Sequence, residues 1–485
     1  MIQFVLNNQT IKTSLPPGST VLDFVRYHKR LVGTKIGCRE GDCGACTILV
    51  GAIENLPAGR QGQKLIYRSM TSCLMPLGNA HGKHIVTVEG INSKVLTPVQ
   101  QAMVDTNGTQ CGFCTIGFVM SLTGFIINES TTGYDDAIKS IDGNICRCTG
   151  YKSIERAAKL LSDKMTDKPK ANTTEWLMKN NFIPDYFINI KEKLLQIRNE
   201  SGNHTPKTNG SLILGGGTDL IVQKHAAVKK SSTKHFFDDE NLKGITIEKD
   251  KYIIGASVTV TEFAESPIMQ NIFPDLEKYI KLVSSTPIRN MATMAGNLVN
   301  ASPIGDMTVF FLGLNAEIIL SNARPEWNGR GKKKRTIYLK DFYKGYKELD
   351  KAGDEFIEKI IFTKPPSGSI FNFEKVCKRT WLDIASVNSA CLIQMNEDGT
   401  IKDIHLSAGG VAPFPKYLSN TVSFLKGKII DAAVLNEAIR IMNEEITPIS
   451  DVRGTKEYKR LLLRQLFLAH IPQPIEQLKE ILIQQ

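Results

Sequence analysis

Cys38-Arg39-Glu40-Gly41-Asp42-Cys43-Gly44-Ala45-Cys46 packs three thiols into nine residues, and a fourth, Cys73, follows after 26 more. This spacing is the plant-type [2Fe-2S] pattern. Three thiolates from one loop must wrap a small anionic cluster, so the backbone needs unusual dihedrals and N–H groups aimed at sulfur, which Gly37, Gly41 and Gly44 can supply. A four-cysteine zinc site normally pairs two separate Cys-x2–4-Cys knuckles, and here three ligands crowd one loop.

A second group follows: Cys111-Gly112-Phe113-Cys114, then 31 residues, then Cys146-Arg147-Cys148. Cys-x-x-Cys beside a helix could by itself be a thioredoxin-like dithiol, but that leaves Cys146 and Cys148 unexplained and lacks the surrounding βαβ pattern. A second cluster accounts for all four. Eight of the ten cysteines are thereby assigned to two one-electron centres. The other two, Cys377 and Cys391, stand in strand-like apolar surroundings and read as buried structural residues.

The chain has 485 residues, too many for one hydrophobic core, with 42% hydrophobic and 22% charged residues. No stretch approaches the roughly 18 to 20 apolar residues a membrane span needs. The start of the chain lacks a basic segment followed by an apolar one, so a cytoplasmic protein with reduced thiols is expected. The net charge of +11 and the basic run 329–335 raise nucleic-acid binding. That run has no interleaved aromatics and lies between strand-like segments 316–321 and 336–339, so a solvated loop is expected and no nucleic-acid partner.

Short strands are expected at 2–6, 9–14, 47–50, 64–69 and 84–89, broken by a helix near 20–28, and helices take over from about residue 97 to 161. Residues 162–174 are rich in Lys, Asp, Thr and Pro, which suits an exposed linker. The stretch 55–63, Asn-Leu-Pro-Ala-Gly-Arg-Gln-Gly-Gln, reads as an extended loop between the third and fourth cysteines of the first group.

Leu212-Ile213-Leu214-Gly215-Gly216-Gly217-Thr218-Asp219-Leu220 is an apolar strand running into three glycines whose N–H groups can converge on an anion such as a pyrophosphate. It is not a Gly-x-Gly-x-x-Gly fingerprint, and a plain tight turn explains it equally well. A second small-residue stretch, 294–306, could clamp the other side of one nucleotide. Two one-electron centres also call for a two-electron carrier, and flavin performs both kinds of step. Lys375 could stabilise a reduced flavin anion, although the sequence alone favours an ordinary surface lysine.

In the order of these motifs (Cys38 to Cys46, Gln110 to Cys114, Cys146-Arg-Cys-Thr-Gly-Tyr151, Gly-Gly-Gly-Thr218 and Gly296-Asn-Leu-Val-Asn-Ala-Ser-Pro303) the whole chain resembles the xanthine dehydrogenase family, specifically its bacterial small subunit. One departure is Cys114-Thr115-Ile116-Gly117, which has Ile where the family commonly has Pro and removes no ligand. The resemblance implies a multidomain α+β protein. A β-grasp ferredoxin-like domain would occupy residues 1–90, a four-helix [2Fe-2S] domain 91–165 and a linker 166–184. A vanillyl-alcohol-oxidase (PCMH) type FAD-binding domain would follow at 185–366, then a CO-dehydrogenase-flavoprotein-like α+β domain at 367–485.

It further implies one cluster on Cys38, Cys43, Cys46 and Cys73 and another on Cys111, Cys114, Cys146 and Cys148. FAD contacts would come from Ile213, Leu214, Gly215, Gly216, Gly217, Thr218, Asp219 and Leu220, from Thr293, Met294, Ala295, Gly296 and Asn297, and from Asp306 and Lys375. Gln110 would reach the pterin of a molybdenum cofactor on a large partner subunit, in a heterodimer or heterotetramer. The implied activity is electron transfer in hypoxanthine and xanthine oxidation, with NAD+ as acceptor and substrate hydroxylation on the partner chain. An aldehyde or N-heterocycle hydroxylase is the alternative.

Overall fold

The computed structural model describes residues 1–55, 62–128, 133–169, 173–201, 212–322, 334–379 and 383–472. Two compact units emerge: Met1–Asp238 with Ser285–Ala292, and Asp239–Ser284 with Thr293–Gln485.

The first unit begins with a five-stranded sheet in the order β2-β1-β5-β3-β4, formed by Ile2–Leu6 (β1), Gln9–Thr13 (β2), Thr47–Asn55 (β3), Gln63–Thr71 (β4) and His84–Val86 (β5). β1 and β5 pair in parallel, Val5 opposite His84, and the remaining pairs are antiparallel. The helix expected near 20–28 starts where Thr20 Oγ1 accepts the Asp23 N–H at 3.1 Å, then widens to π geometry over Phe24–His28. Its apolar side packs Val21, Leu22, Phe24 and Val25 against Phe4, Leu6 and Ile48, the packing of a β-grasp.

Sequence and structure differ at the hairpin. β3 and β4 run beyond their expected spans, their backbones pairing as far as Asn55 opposite Gln63, with Glu54 and Arg68 ion-paired across the strands at 3.6 Å. The last strand ends at Val86, and Val88–Ile91 turns into a helix. Residues 56–61 of the expected loop lie outside the described residues.

The helical module follows. Thr97 and Gln100 form a reciprocal capping box at the start of Pro98–Asp105, where Pro at the first turn costs no hydrogen bond. Thr115–Ile127 is apolar on all sides and is buried from Gly117 to Ile126. Tyr134–Ser140 and Lys152–Lys164 complete four helices around Phe118, Met120, Leu122, Ala157 and Leu161.

The exposed linker expected over 162–174 is corrected here for its described residues, 170–172 lying outside them. Ser162 is buried in the last of these helices, and the Lys168 ammonium donates to the Ile126 carbonyl at 2.7 Å. Thr173–Lys179 is helical, and Leu177, Phe182 and Ile183 join the helical core. Its few apolar residues bury at a helix end and a turn, where no regular period reveals them.

The same unit also takes in chain expected in the third domain. Ile190, Leu194 and Ile197 of the helix Ile190–Ser201 pack with Val5. Leu212–Leu214 (β6) and Thr233–His235 (β7) pair in parallel around the helix Leu220–Lys230. Leu214, Ile221, Val228, Phe237 and Met291 share the ferredoxin-like core. Within Ser285–Ala292, the Asn290 amide donates to the Ser69 carbonyl at 2.8 Å, and Arg289 pairs with Asp142 at 2.6 Å, both side chains nearly buried.

The second unit holds an antiparallel five-stranded sheet of Lys334–Tyr338, Glu317–Asn322, Glu355–Thr363, Lys251–Gly255 and Ile245–Glu248, in that order. An aromatic cluster of Phe263, Phe273, Phe310 and Phe371 lies in the same unit. A four-stranded antiparallel sheet, Ile370–Val376, Val387–Met395, Ile401–Gly409 and Lys416–Tyr417, carries the helices Ser419–Leu425, Ala432–Glu445 and Lys456–Ala469. Together they close a core of Ile393, Ile404, Leu406, Leu435 and Phe467.

Part of the basic run, 329–333, lies outside the described residues. Lys334 and Arg335 are strand rather than loop, and both are ion-paired, Lys334 with Glu358 at 2.7 Å and Arg335 with Glu355 at 2.8 Å. Among the described residues no helix is long and apolar enough to cross a membrane.

Candidate functional site

The cysteine loop between residues 36 and 46 carries three left-handed residues in the backbone, Arg39, Gly41 and Gly44, at φ of 60°, 83° and 67°. Its close contacts explain the glycines. A Cβ on Gly37 would stand 2.6 Å from the Cys43 sulfur, and one on Gly44 would stand 2.2 Å from the Gly143 carbonyl oxygen.

Backbone N–H groups point at sulfur, as an anionic cluster requires. Glu40 N and Cys43 N donate to Cys38 Sγ at 3.3 and 3.4 Å, and Cys38 N donates to Cys43 Sγ at 3.5 Å. The thiols gather in pairs. Cys38 lies against Cys43, whose thiol, with the N–H groups, lowers the Cys38 pKa to about 5. Cys46 lies against Cys73, which pushes the Cys46 thiol down while Cys73 itself is pushed up. Cys46 and Cys73 are buried.

The second group is built the same way. Cys148 Sγ lies 3.6 Å from Cys111 Sγ, and burial, helped by a hydrogen bond with Cys146, pushes the Cys114 thiol up to about 12. Thr149 N donates to Cys146 Sγ at 3.4 Å, and the Tyr151 hydroxyl accepts the Cys146 N–H at 3.1 Å. Among the described residues no group of three or more His, Cys, Asp or Glu side chains is arranged to hold a single metal ion. Two pairs of thiols at each site fit a two-iron cluster, one pair to each iron. Gln110, Cys111 and Cys148 are exposed, and Phe113 beside them is 45% exposed.

Sequence reasoning missed the residue that ties the two loops together. Asn144 Nδ2 donates to the Gly44 carbonyl at 3.2 Å, and its Oδ1 accepts from Ser121 at 2.7 Å. Its neighbour Ile145 donates its N–H to the Cys43 carbonyl at 3.1 Å. Nothing in the sequence signals this contact, because the partners are 100 residues apart.

The residues the resemblance assigns to FAD divide between the two units. In the first, Ile213 and Leu214 lie in β6, Gly215, Gly216, Gly217, Thr218 and Asp219 form the turn, and Leu220 opens the helix. Gly217 has φ 85°, and a Cβ on Gly216 would meet the Met291 carbonyl oxygen at 1.7 Å, so no side chain fits that turn. A turn of three glycines leading from a strand into a helix is the kind of backbone that accommodates a pyrophosphate.

In the second unit Thr293 caps the helix Met294–Asn300, which carries Ala295, Gly296 and Asn297, and its Oγ1 accepts the Gly296 N–H at 3.2 Å. Asn297 Oδ1 accepts the Thr308 N–H at 3.1 Å. Asp306 and Lys375 are brought together at 2.8 Å. The surface lysine favoured by sequence is corrected: the Lys375 side chain is 1% exposed, with its ammonium also donating to the Leu282 carbonyl at 2.7 Å. Asn388 lies opposite Lys375 in the sheet and donates to Asp306 Oδ1 at 2.6 Å. Its Oδ1 is buried against Gly409 without a hydrogen-bond partner.

The remaining cysteines differ from each other. Cys391 is buried as expected, but Cys377 is partly exposed, its thiol donating to the Arg379 carbonyl at 2.9 Å.

Four family models match in succession. A 2Fe-2S iron-sulfur cluster binding domain matches residues 4–77, a [2Fe-2S] binding domain 87–159, an FAD binding domain in molybdopterin dehydrogenase 193–365, and a CO dehydrogenase flavoprotein C-terminal domain 373–472. Xanthine dehydrogenase from Emericella nidulans is 29% identical over 92% of this chain and 36% of its own length. That of Blastobotrys adeninivorans is 28% identical over 96% of this chain and 40% of its own. The chain spans about two fifths of the length of these relatives. The solved CO dehydrogenase from Oligotropha carboxidovorans aligns over 55% of this chain and 90% of that one, at 24% identity and a TM-score of 0.49.

Two [2Fe-2S] modules followed by a flavin module define an electron-transfer iron–sulfur flavoprotein of the molybdenum hydroxylase class. Within that class, the curated relatives that the chain resembles over most of its length are xanthine dehydrogenases.

Proposed function

We propose that this chain is the electron-transfer subunit of a xanthine dehydrogenase, acting in the cytoplasm with a separate large subunit that holds the molybdenum–pterin centre and hydroxylates the purine. When bound, the clusters accept electrons singly, and the flavin collects two for exchange with NAD+.

The chain's own residues give that path a direction. Cys111, Cys114, Cys146 and Cys148 would hold the cluster nearer the partner, since Cys111, Cys148 and Gln110 stand exposed on one loop system. Cys38, Cys43, Cys46 and Cys73 would hold the inner one. The observation that carries the reading is the junction between them: the Ile145 N–H to Cys43 carbonyl bond links one ligand loop to the other through a single hydrogen bond, and Asn144 keeps it in place.

For FAD, the turn from Gly215 to Thr218 would present N–H groups to the pyrophosphate. The Lys375 ammonium, buried against Asp306, would supply a fixed positive charge where a reduced flavin needs one. Thr293, with the helix it caps, would line the other stretch of the nucleotide. No residue of this set activates water or a purine.

The test is reconstitution with the large molybdenum-binding chain. The combined protein is expected to reduce NAD+ with xanthine, whereas this chain alone transfers electrons from NADH to an artificial dye and leaves xanthine unchanged. Xanthine turnover by this chain alone, or a combined protein that oxidises aldehydes but not purines, would contradict the proposal.

A further inference from the structure

Asn79 lies in the short 3-10 turn Leu77–Ala80 of the ferredoxin-like module, 2% exposed, and its side chain reaches the glycine turn. Asn79 Nδ2 donates to the Gly215 carbonyl at 2.9 Å. A carbonyl can only accept, which fixes the orientation of the amide and turns Oδ1 toward His235 Nδ1, 2.8 Å away. His235 must therefore carry its proton on Nδ1, leaving Nε2 to accept from the Thr233 hydroxyl at 3.0 Å. Burial lowers the His235 pKa to about 4, so the ring is neutral and keeps this tautomer.

The surroundings hold the pair in place. A Cβ on Gly78 would stand 2.4 Å from the His235 ring, so the ring lies flat against bare backbone. Lys83 donates to the Asn79 carbonyl at 2.9 Å while pairing with Asp238 at 2.7 Å. The glycine turn also rests on the segment following Cys73: a Cβ on Gly217 would meet the Leu74 carbonyl at 2.8 Å and Pro76 at 2.9 Å. Among the described residues, β6 spans Leu212–Leu214 and pairs with β7. The Gly215 carbonyl just beyond it is held by an oriented hydrogen bond from outside the strand and turn.

We propose that Asn79, oriented by His235, is a positioning residue of the flavin site: it holds the Gly215 carbonyl so that the N–H groups of the turn face the pyrophosphate. The ferredoxin-like module is then a structural part of the flavin site as well as the neighbouring electron carrier. This rests on the assignment of the glycine turn to FAD.

The experiment uses the full chain stripped of flavin and titrated with FAD, following flavin fluorescence, together with electron paramagnetic resonance of the reduced clusters. Asn79→Asp keeps the shape but sets oxygen against oxygen at Gly215, and Asn79→Leu removes both bonds. Each loses the hydrogen bond to the Gly215 carbonyl and is expected to weaken FAD binding about tenfold or more, with both cluster signals intact. His235→Gln, which keeps an N–H within reach of Asn79 Oδ1, is expected to stay within about threefold of the unsubstituted chain, and His235→Leu is not.

Binding by Asn79→Asp within about twofold of the unsubstituted chain would overturn the proposal. So would loss of the cluster signals alongside FAD, which would make Asn79 a general structural residue. An unsubstituted chain that takes up no FAD would instead overturn the assignment of the turn, and the proposal with it.

Discussion

Cys43→Ala is expected to remove one of two [2Fe-2S] signals and leave the other, and Cys146→Ala is expected to do the reverse. Cys43 faces Cys38 and Cys146 faces Cys114, so each substitution strips one iron of half its protein ligands while the other four-cysteine set stays whole. A cluster cannot persist on three thiolates when the fourth position holds only a methyl group. Iron should fall from about four to about two atoms per chain in both variants. Flavin binding should survive in both, since neither thiol belongs to the residues assigned to FAD. Iron analysis and electron paramagnetic resonance after dithionite reduction read the result. Unchanged iron in either variant, or stoichiometric zinc in place of iron, would contradict the ligand assignment.

Asp142→Ala is expected to destabilise the first unit by ~3–5 kcal/mol, because it removes the carboxylate that pairs at 2.6 Å with the nearly buried Arg289 guanidinium. The carboxylate also accepts from Thr286 N at 2.7 Å and from Thr286 Oγ1 at 3.1 Å, so three donors lose their acceptor together. This knot fastens Ser285–Ala292 to the helical module, where the Lys139 carbonyl, also 3.1 Å from Thr286 Oγ1, shares the single hydroxyl proton with Asp142. The double replacement Asp142→Leu with Arg289→Met should recover at least half of the loss, since apolar residues of similar size remove the stranded charge. Thermal and urea unfolding of the apoprotein check both numbers. A cost below about 1 kcal/mol for Asp142→Ala would place the pair in the weak, solvent-screened class.

The cluster loops were legible because their chemistry is local: Cys38, Cys43 and Cys46 sit within nine residues, and glycines at unusual φ accompany them. Strands such as Ile2–Leu6 and helices such as Thr115–Ile127 were legible from their apolar patterns. What the sequence hid depends on register and long separations. Lys375 looks like a surface residue until the pairing of Ile370–Val376 with Val387–Met395 sets it opposite Asn388 and beside Asp306, 69 residues away. Asn79 and His235 are 156 residues apart, and neither belongs to a motif. The packing of Leu177, Phe182 and Ile183 was hidden for another reason: the segment is polar on average, and three apolar residues on a short helix and turn suffice to dock it. Segment Ser285–Ala292 lies 46 residues beyond Asp238 in sequence yet folds with the first unit, which no compositional boundary announces.

Storage and relay of electrons on two [2Fe-2S] clusters and one flavin is the core of the proposed function. Anaerobic reductive titration of the cofactor-loaded chain, followed by its visible absorbance, tests it most directly. Uptake of about four electrons per chain, one by each cluster and two by the flavin, is the predicted result. Uptake of about two electrons or fewer by the fully loaded chain would contradict it.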